Sequence, residues 1–198
     1  MLFKNLKSNL DISDSEFDLI YPKKIKQASE FHFTPIEIAK IAAHYLADSK
    51  DTKVLDVGSG AGKFCMIGAA CTKASFHGVE LRKNLFNTSN RISKQFNLTN
   101  VYFTNSNINT IDFKNFDAVY FFNSFIENIF PLDRIDASIE LRKDLYLEYS
   151  HYVKTQLDSM SIGTKLVTYF SFLKEVPDSF EIQYCLFGEK LKMWKKIS

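Results

Sequence analysis

Gly58-Ser59-Gly60-Ala61-Gly62 holds three of the seven glycines in a chain of 198 residues. A glycine cluster between a strand and a helix lets the backbone turn sharply and approach a ligand closely, beside helical N–H groups that have no partner within the helix. Two phosphate-binding patterns do not fit. A phosphate-cradling loop needs four residues between its glycines, then Lys and a hydroxyl residue. Here Gly58 and Gly62 enclose three residues, and Phe64 stands where the hydroxyl belongs. The third glycine of a dinucleotide loop would lie one position later than Gly62. Asp56, just ahead of the cluster, brings a negative charge that repels a pyrophosphate and attracts an ammonium or sulfonium group. A ligand with a cationic centre is expected, and nicotinamide-dependent oxidation is the competing reading.

The elements that would position these residues follow from periodicity. Lys53 to Val57 is a short β-rich run that ends on the cluster, and Lys63 to Lys73 reads as a helix of small and apolar residues. The pattern repeats, with strands at Ser75 to Glu80, Val101 to Phe103 and Phe116 to Phe122 and a helix at Arg82 to Phe96. Apolar strands alternating with helices imply a parallel sheet covered on both faces. Upstream, Ser13 with Glu16 forms a capping box before a short helix that stops ahead of Pro22. Thr34-Pro35-Ile36-Glu37 predicts a second helix, to about Ser49, with Thr34 as N-cap. Downstream, the spacing of Ile135, Ile139, Tyr146, Tyr149, Val153 and Met160 predicts one long helix or two shorter ones from about Asp133. Lys165 to Phe170, Phe180 to Phe187 and Lys190 to Ile197 read as strands, the last two joined through Gly188-Glu189 in a type II′ hairpin. The expected fold class is α/β: a doubly wound, mostly parallel seven-stranded sheet with helices on both faces and a C-terminal antiparallel hairpin.

Val54-Leu55-Asp56-Val57-Gly58-Ser59-Gly60-Ala61-Gly62 resembles the first motif of class I S-adenosylmethionine-dependent methyltransferases, and the likeness runs from about Thr34 to the C-terminus. The resemblance implies that S-adenosyl-L-methionine is the cofactor, with Asp56, Gly58, Ser59, Gly60 and Gly62 around its methionine part. It also implies an acid after the second strand for the ribose, which falls on Glu80, with Leu81 beside it. Glu80 follows Gly58 by 22 positions, near the interval of about 20 typical of a ribose-binding acid. A polar residue after the third strand, here Asn107, would contact the adenine. Asn107 departs from the more frequent Asp, so Asn105 or Ser106 could share that contact. The domain plan is a single unit: a helical cap over 1–52, a cofactor-binding half over 53–122, a helical insert over 123–162 on the acceptor side, and terminal strands over 163–198.

In open α/β sheets ligands lie at the carboxyl ends of the strands, so the end of the fourth strand, Phe121-Phe122-Asn123-Ser124-Phe125, faces the reacting methyl group. Asn123 could accept a hydrogen bond from an acceptor nitrogen, or merely cap the strand. The run lacks the two prolines of base-amino methyltransferases. It is more similar to the Asn-containing motif of seven-strand protein lysine methyltransferases. Methyl transfer needs mainly positioning in a water-poor pocket, and a base helps without being obligatory. Glu127, His32 and Tyr21 are the candidates for that base. The bland alternatives are a solvated carboxylate for Glu127 and a structural imidazole for His32.

A net charge of +2 gives no general case for nucleic acid. Lys190, Lys192 and Lys196 alternate with Trp194 on one strand face, either touching nucleic acid or protecting an exposed sheet edge. Cys65, Cys71 and Cys185 are odd in number and form no C-x-x-C pattern, as in reduced cytoplasmic proteins. No signal peptide, membrane span or metal site is expected. The expected acceptor is a small molecule or an exposed protein side chain, and a non-catalytic binding module on the same fold is the alternative. The sequence does not specify an oligomeric state.

Overall fold

The computed structural model describes residues 2–8 and 10–198. Seven strands form one sheet: β1 (Lys53–Val57), β2 (Ser75–Glu80), β3 (Val101–Asn105), β4 (Ala118–Phe122), β5 (Lys165–Tyr169), β6 (Phe180–Leu186) and β7 (Leu191–Lys196). Their order is β3-β2-β1-β4-β5-β7-β6. The first five pair in parallel, and β7 runs antiparallel to both β5 and β6. The chain winds outward from β1 to β3 and then returns to β4 on the other side of β1. That reversal opens a crevice at the carboxyl ends of β1 and β4.

The strands are apolar because both faces are covered; Val54, Leu55, Val57 and every residue from Ala118 to Phe121 are buried. Helices α4 (Ile36–Leu46), α5 (Lys63–Cys71) and α6 (Lys83–Gln95) share one core with Val54, Phe76 and Tyr120. On the other face α7 (Lys143–Asp158) buries Tyr146, Tyr149, Val153 and Leu157 against Leu55, Val119 and Leu166. Gly68 in α5 meets the Phe76 ring where a Cβ would stand, so this helix sits directly on the sheet.

Three short helices precede α4: α1 (Leu2–Lys7), α2 (Asp14–Phe17) and α3 (Lys23–His32). The capping box of α2 is present, with Glu16 N–H donating to Ser13 Oγ and Ser13 N–H to Glu16 Oε2. Helix α3 escaped the sequence reading because Ser29 is its only buried residue, so no apolar stripe marks it.

Four local expectations are corrected. Helix α4 begins at Ile36 with Pro35 in the cap position, and the Thr34 hydroxyl bonds Tyr120 Oη at 2.8 Å instead of the helix. Asp14 Oδ1 takes over by accepting from Ile36 N–H at 3.0 Å. The helix expected from Asp133 starts only at Lys143, because the preceding residues are engaged by tertiary polar contacts: Ile135 N–H donates to Glu127, Arg142 N–H to Asn128, and Asp136 accepts from Arg82. The hairpin has three left-handed residues, Phe187, Gly188 and Glu189, with φ of 55°, 62° and 68°, where a type II′ turn has one. Finally, β7 is not an edge strand. Trp194 is buried, and Lys196 is 4% exposed with its ammonium on Asp158 O and Ser179 Oγ, so the alternating lysine face is not a free basic surface.

Candidate active site

The glycine loop leaves β1 through three left-handed residues, with φ of 74° at Gly58, 55° at Gly60 and 81° at Gly62. A Cβ would collide with Ser124 at Gly58 and with Phe103 and Ser89 at Gly62, and at Gly60 it would press on the Phe33 ring at 3.1 Å. The loop is pinned to β2 by Gly58 N–H and Ser59 N–H, both donating to Val79 O at 3.0 and 2.9 Å. Backbone conformation and crowding both demand glycine here.

Glu80 closes β2. Its Oε2 accepts from Gly60 N–H at 2.8 Å and its Oε1 from Arg82 N–H at 2.7 Å. Burial pushes its pKa up, while the Arg82 amide and charge and the Gly60 amide pull it back. A carboxylate has about four acceptor positions, so about two remain unused. Glu80 lines a cavity of about 320 Å³ at the carboxyl ends of the strands.

Arg82 organises the far wall. Its guanidinium pairs with Glu127 and, 3.1 Å from Nε, with Asp136 Oδ1. The second Glu127 oxygen accepts from Ile135 N–H at 3.1 Å and lies 3.8 Å from His32 Nδ1. Partial burial pushes Asp136 upward, but hydrogen bonds from Ser138, Asn84 and Arg82 prevail and bring its pKa down to about 2.

Of the residues singled out from sequence, Gly58, Gly60, Glu80, Leu81, Asn107, Asn123, Glu127 and His32 line this cavity. Asn107 donates to Tyr149 Oη at 3.1 Å and accepts from Asn109 N–H, so its amide is spent on α7 and its own turn. Ser106 also lines the cavity, whereas Asn105 donates to the Glu80 and Leu81 carbonyls behind it. Asn123 adopts a left-handed backbone, φ 41°, right after β4.

Asp56, Ser59, Gly62 and Tyr21 are not among the lining residues. Asp56 is buried, accepts from Cys65 Sγ at 3.2 Å, and is pushed by burial to a pKa of about 7, the Cys65 bond opposing. Glu80, and not Asp56, is the acidic residue at this end of the glycine loop that lines the cavity. Ser59 Oγ is buried against Gly78 and has no hydrogen-bond partner. Tyr21 donates to Ala61 O at 3.4 Å beneath the loop. Sequence reading missed Arg82, Phe31, Phe33 and Tyr149 in the cavity wall, whereas Phe122 and Phe125 belong to the run expected there. The Phe31-His32-Phe33 run and an Arg two residues after Glu80 were the available signals. Among the described residues no group of three metal-ligating side chains occurs, and no helix is long and apolar enough to cross a membrane.

This geometry has relatives. An RNA methyltransferase from Salinibacter ruber in complex with S-adenosyl-L-homocysteine superposes with a TM-score of 0.58 at 18% identity, over 83% of this chain and 94% of that one. A SAM-dependent methyltransferase from Aquifex aeolicus gives a TM-score of 0.56 at 17% identity, over 90% and 99% of the two chains. A Streptococcus mutans protein in complex with S-adenosylhomocysteine gives 0.56 at 16%, over 80% and 97%. At such identities the likeness is one of fold. No curated protein matches the sequence. The family described as "Methyltransferase domain" matches residues 48–156, more than half of the chain. The chain belongs to this methyltransferase family.

Proposed function

We propose that this methyltransferase takes its methyl group from S-adenosylmethionine and delivers it to a small molecule or an exposed protein side chain. The observation that carries this reading is Glu80: a buried carboxylate at the end of β2, fixed by two backbone N–H groups, with acceptor capacity to spare in the wall of the cavity. Such a group suits a vicinal diol, which donates two hydrogen bonds. The cavity volume lies at the lower end of the range of about 300–1,000 Å³ usual for small-ligand sites. The structural relatives solved with S-adenosylhomocysteine support the same cofactor.

When bound, the cofactor supplies an electrophilic methyl group on a sulfonium centre. Glu80 would hold the ribose, and the Gly58–Gly60 backbone would lie against the methionine part. Phe33, Phe122 and Phe125 form an apolar wall that excludes water. Asn123 stands at the end of β4, where its amide carbonyl would accept from an acceptor N–H or O–H. Glu127 is committed to Arg82 and Ile135, which suits positioning the insert more than taking a proton; His32 remains the candidate base. The family match does not favour a non-catalytic module.

Titration calorimetry with S-adenosylhomocysteine tests the cofactor assignment. Binding is expected, and at about 100 times the dissociation constant it should stabilise the fold by about 2.7 kcal/mol. Gly60→Val should abolish it, since a β-branched residue is strained at φ 55° and its Cβ would press on the Phe33 ring at 3.1 Å. Absence of binding, or undiminished binding by Gly60→Val, would refute the proposal.

A further inference from the structure

Two neighbouring parallel strands end alike. Phe122 of β4 pairs with Tyr169 of β5, and the next residue on each strand, Asn123 and Phe170, is left-handed, with φ of 41° and 50°. Asn tolerates that conformation, whereas for a bulky residue it costs about 1–3 kcal/mol and persists only where the surroundings enforce it. Phe170 is held by its N–H on Lys190 O at 2.9 Å. Its ring packs near Tyr169 at 4.7 Å and under the Lys190 ammonium at 5.0 Å. Yet Phe170 is 43% exposed and lines the cavity, so the strain does not serve the core. On α3, Phe31 lines the same cavity and is 75% exposed.

The polar groups nearby set the charge of what these rings can accept. Glu80, Arg82 and Glu127 are all engaged within the protein. Glu127 is taken up by Arg82 and Ile135 N–H, and the remaining acceptor positions of Glu80 are assigned above to the ribose, so neither carboxylate is set to receive a lysine ammonium. The Asn123 side chain makes no hydrogen bond among the described residues, which leaves a neutral amide beside two partly exposed phenyl rings, one of them with the Lys190 ammonium over it. We infer that the methyl acceptor is a small, neutral aromatic or heteroaromatic compound whose ring packs on Phe170 and Phe31 while its nucleophilic nitrogen or oxygen bonds Asn123. This rests on the proposed methyl transfer. The acceptor's lone pair forms the bond to the methyl carbon as the carbon–sulfur bond breaks toward sulfur, and any proton on the nucleophile passes to water.

The test is equilibrium binding of indole and 2-naphthol to the full chain loaded with S-adenosylhomocysteine, with cyclohexylamine and cyclohexanol as non-aromatic controls. The aromatic probes should bind at least tenfold more tightly than the controls. Phe170→Ala and the surface variant Phe31→Ala should each weaken them about tenfold, Phe170→Tyr should restore binding, and S-adenosylhomocysteine affinity should stay within about twofold. In parallel, radiolabelled methyl transfer is offered to the same compounds, a lysine-rich peptide and total RNA. Equal binding of aromatic and aliphatic probes, indifference to both alanine variants, or label on peptide or RNA alone overturns the inference while leaving the cofactor assignment standing. Failure of S-adenosylhomocysteine to bind the wild type overturns both.

Discussion

Lys63, the residue that follows the glycine loop, is 3% exposed and places its ammonium 2.8 Å from Asp18 Oδ1. It also reaches Asp14 at 2.7 Å and Ser29 at 3.2 Å. One side chain thereby ties the base of the loop to α2, to the turn after it and to α3, the helix that brings Phe31 and His32 to the cavity. A lysine in the place where a phosphate-binding loop would carry one is here a structural anchor.

Lys63→Met should therefore act on stability through the N-terminal helices. Breaking a buried ion pair by removing one partner typically costs about 3–5 kcal/mol, because the other charge stays buried and unpaired. Asp14 is half exposed and can turn to water, so a loss of about 3 kcal/mol is expected in urea denaturation. Adding Asp18→Asn should recover part of that loss. A loss below about 1 kcal/mol would refute the anchor.

Glu80→Gln tests the cofactor assignment without changing shape. Both carboxylate oxygens accept from backbone N–H groups, and an amide must turn its NH₂ toward one of them or toward the ligand. S-adenosylhomocysteine affinity should fall at least tenfold, about 1.4 kcal/mol. Calorimetry reads this directly, and unchanged affinity would show that Glu80 does not touch the ligand.

Much of this arrangement was legible in the sequence. Strand β2 spans the residues expected of it, and β1 ends on the glycine loop as anticipated, because apolar runs bounded by turn residues leave little choice of element. Seven of the eight expected site residues at the cavity lie at or after the ends of β1 to β4, which converge in this topology, and His32 comes from the end of α3. What escaped depended on long-range polar pairing. The 133–142 segment has a helical pattern but spends its groups on Arg82, Glu127 and Asn128. Asp56 was expected to offer its charge to the ligand, yet its carboxylate turns to Cys65 in the core, which no spacing rule reveals.

Asp56 should make stability depend on pH. Its pKa rises from 3.8 to about 7 in the fold, so between about pH 4 and 7 the unfolded chain ionises this group while the folded chain keeps it protonated. The folded state then binds more protons, and this contribution to stability falls as pH rises, levelling off above about 7. Asp56→Asn should remove that slope and make the protein more stable than wild type at pH 8 by about 2–4 kcal/mol. Urea midpoints at pH 5 and pH 8 check this, and parallel profiles for the two proteins would rule it out.

Glu127 separates two roles that sequence alone left open. A general base contributes about 10²–10⁴ in rate, so Glu127→Gln would lower kcat by that factor if the carboxylate took the acceptor's proton. The structure instead commits one oxygen to Arg82 and the other to Ile135 N–H, contacts that hold the insert against the cavity. Glutamine keeps the hydrogen-bonding outline but loses the charge that balances Arg82, and Asp136 stays as a partial substitute. The expected result is a loss of about 1–3 kcal/mol in stability, a higher KM for the acceptor because the insert over the cavity loosens, and a fall in kcat of less than tenfold. If instead kcat drops a hundredfold with stability and KM unchanged, Glu127 is the base and its pairing with Arg82 opens during turnover.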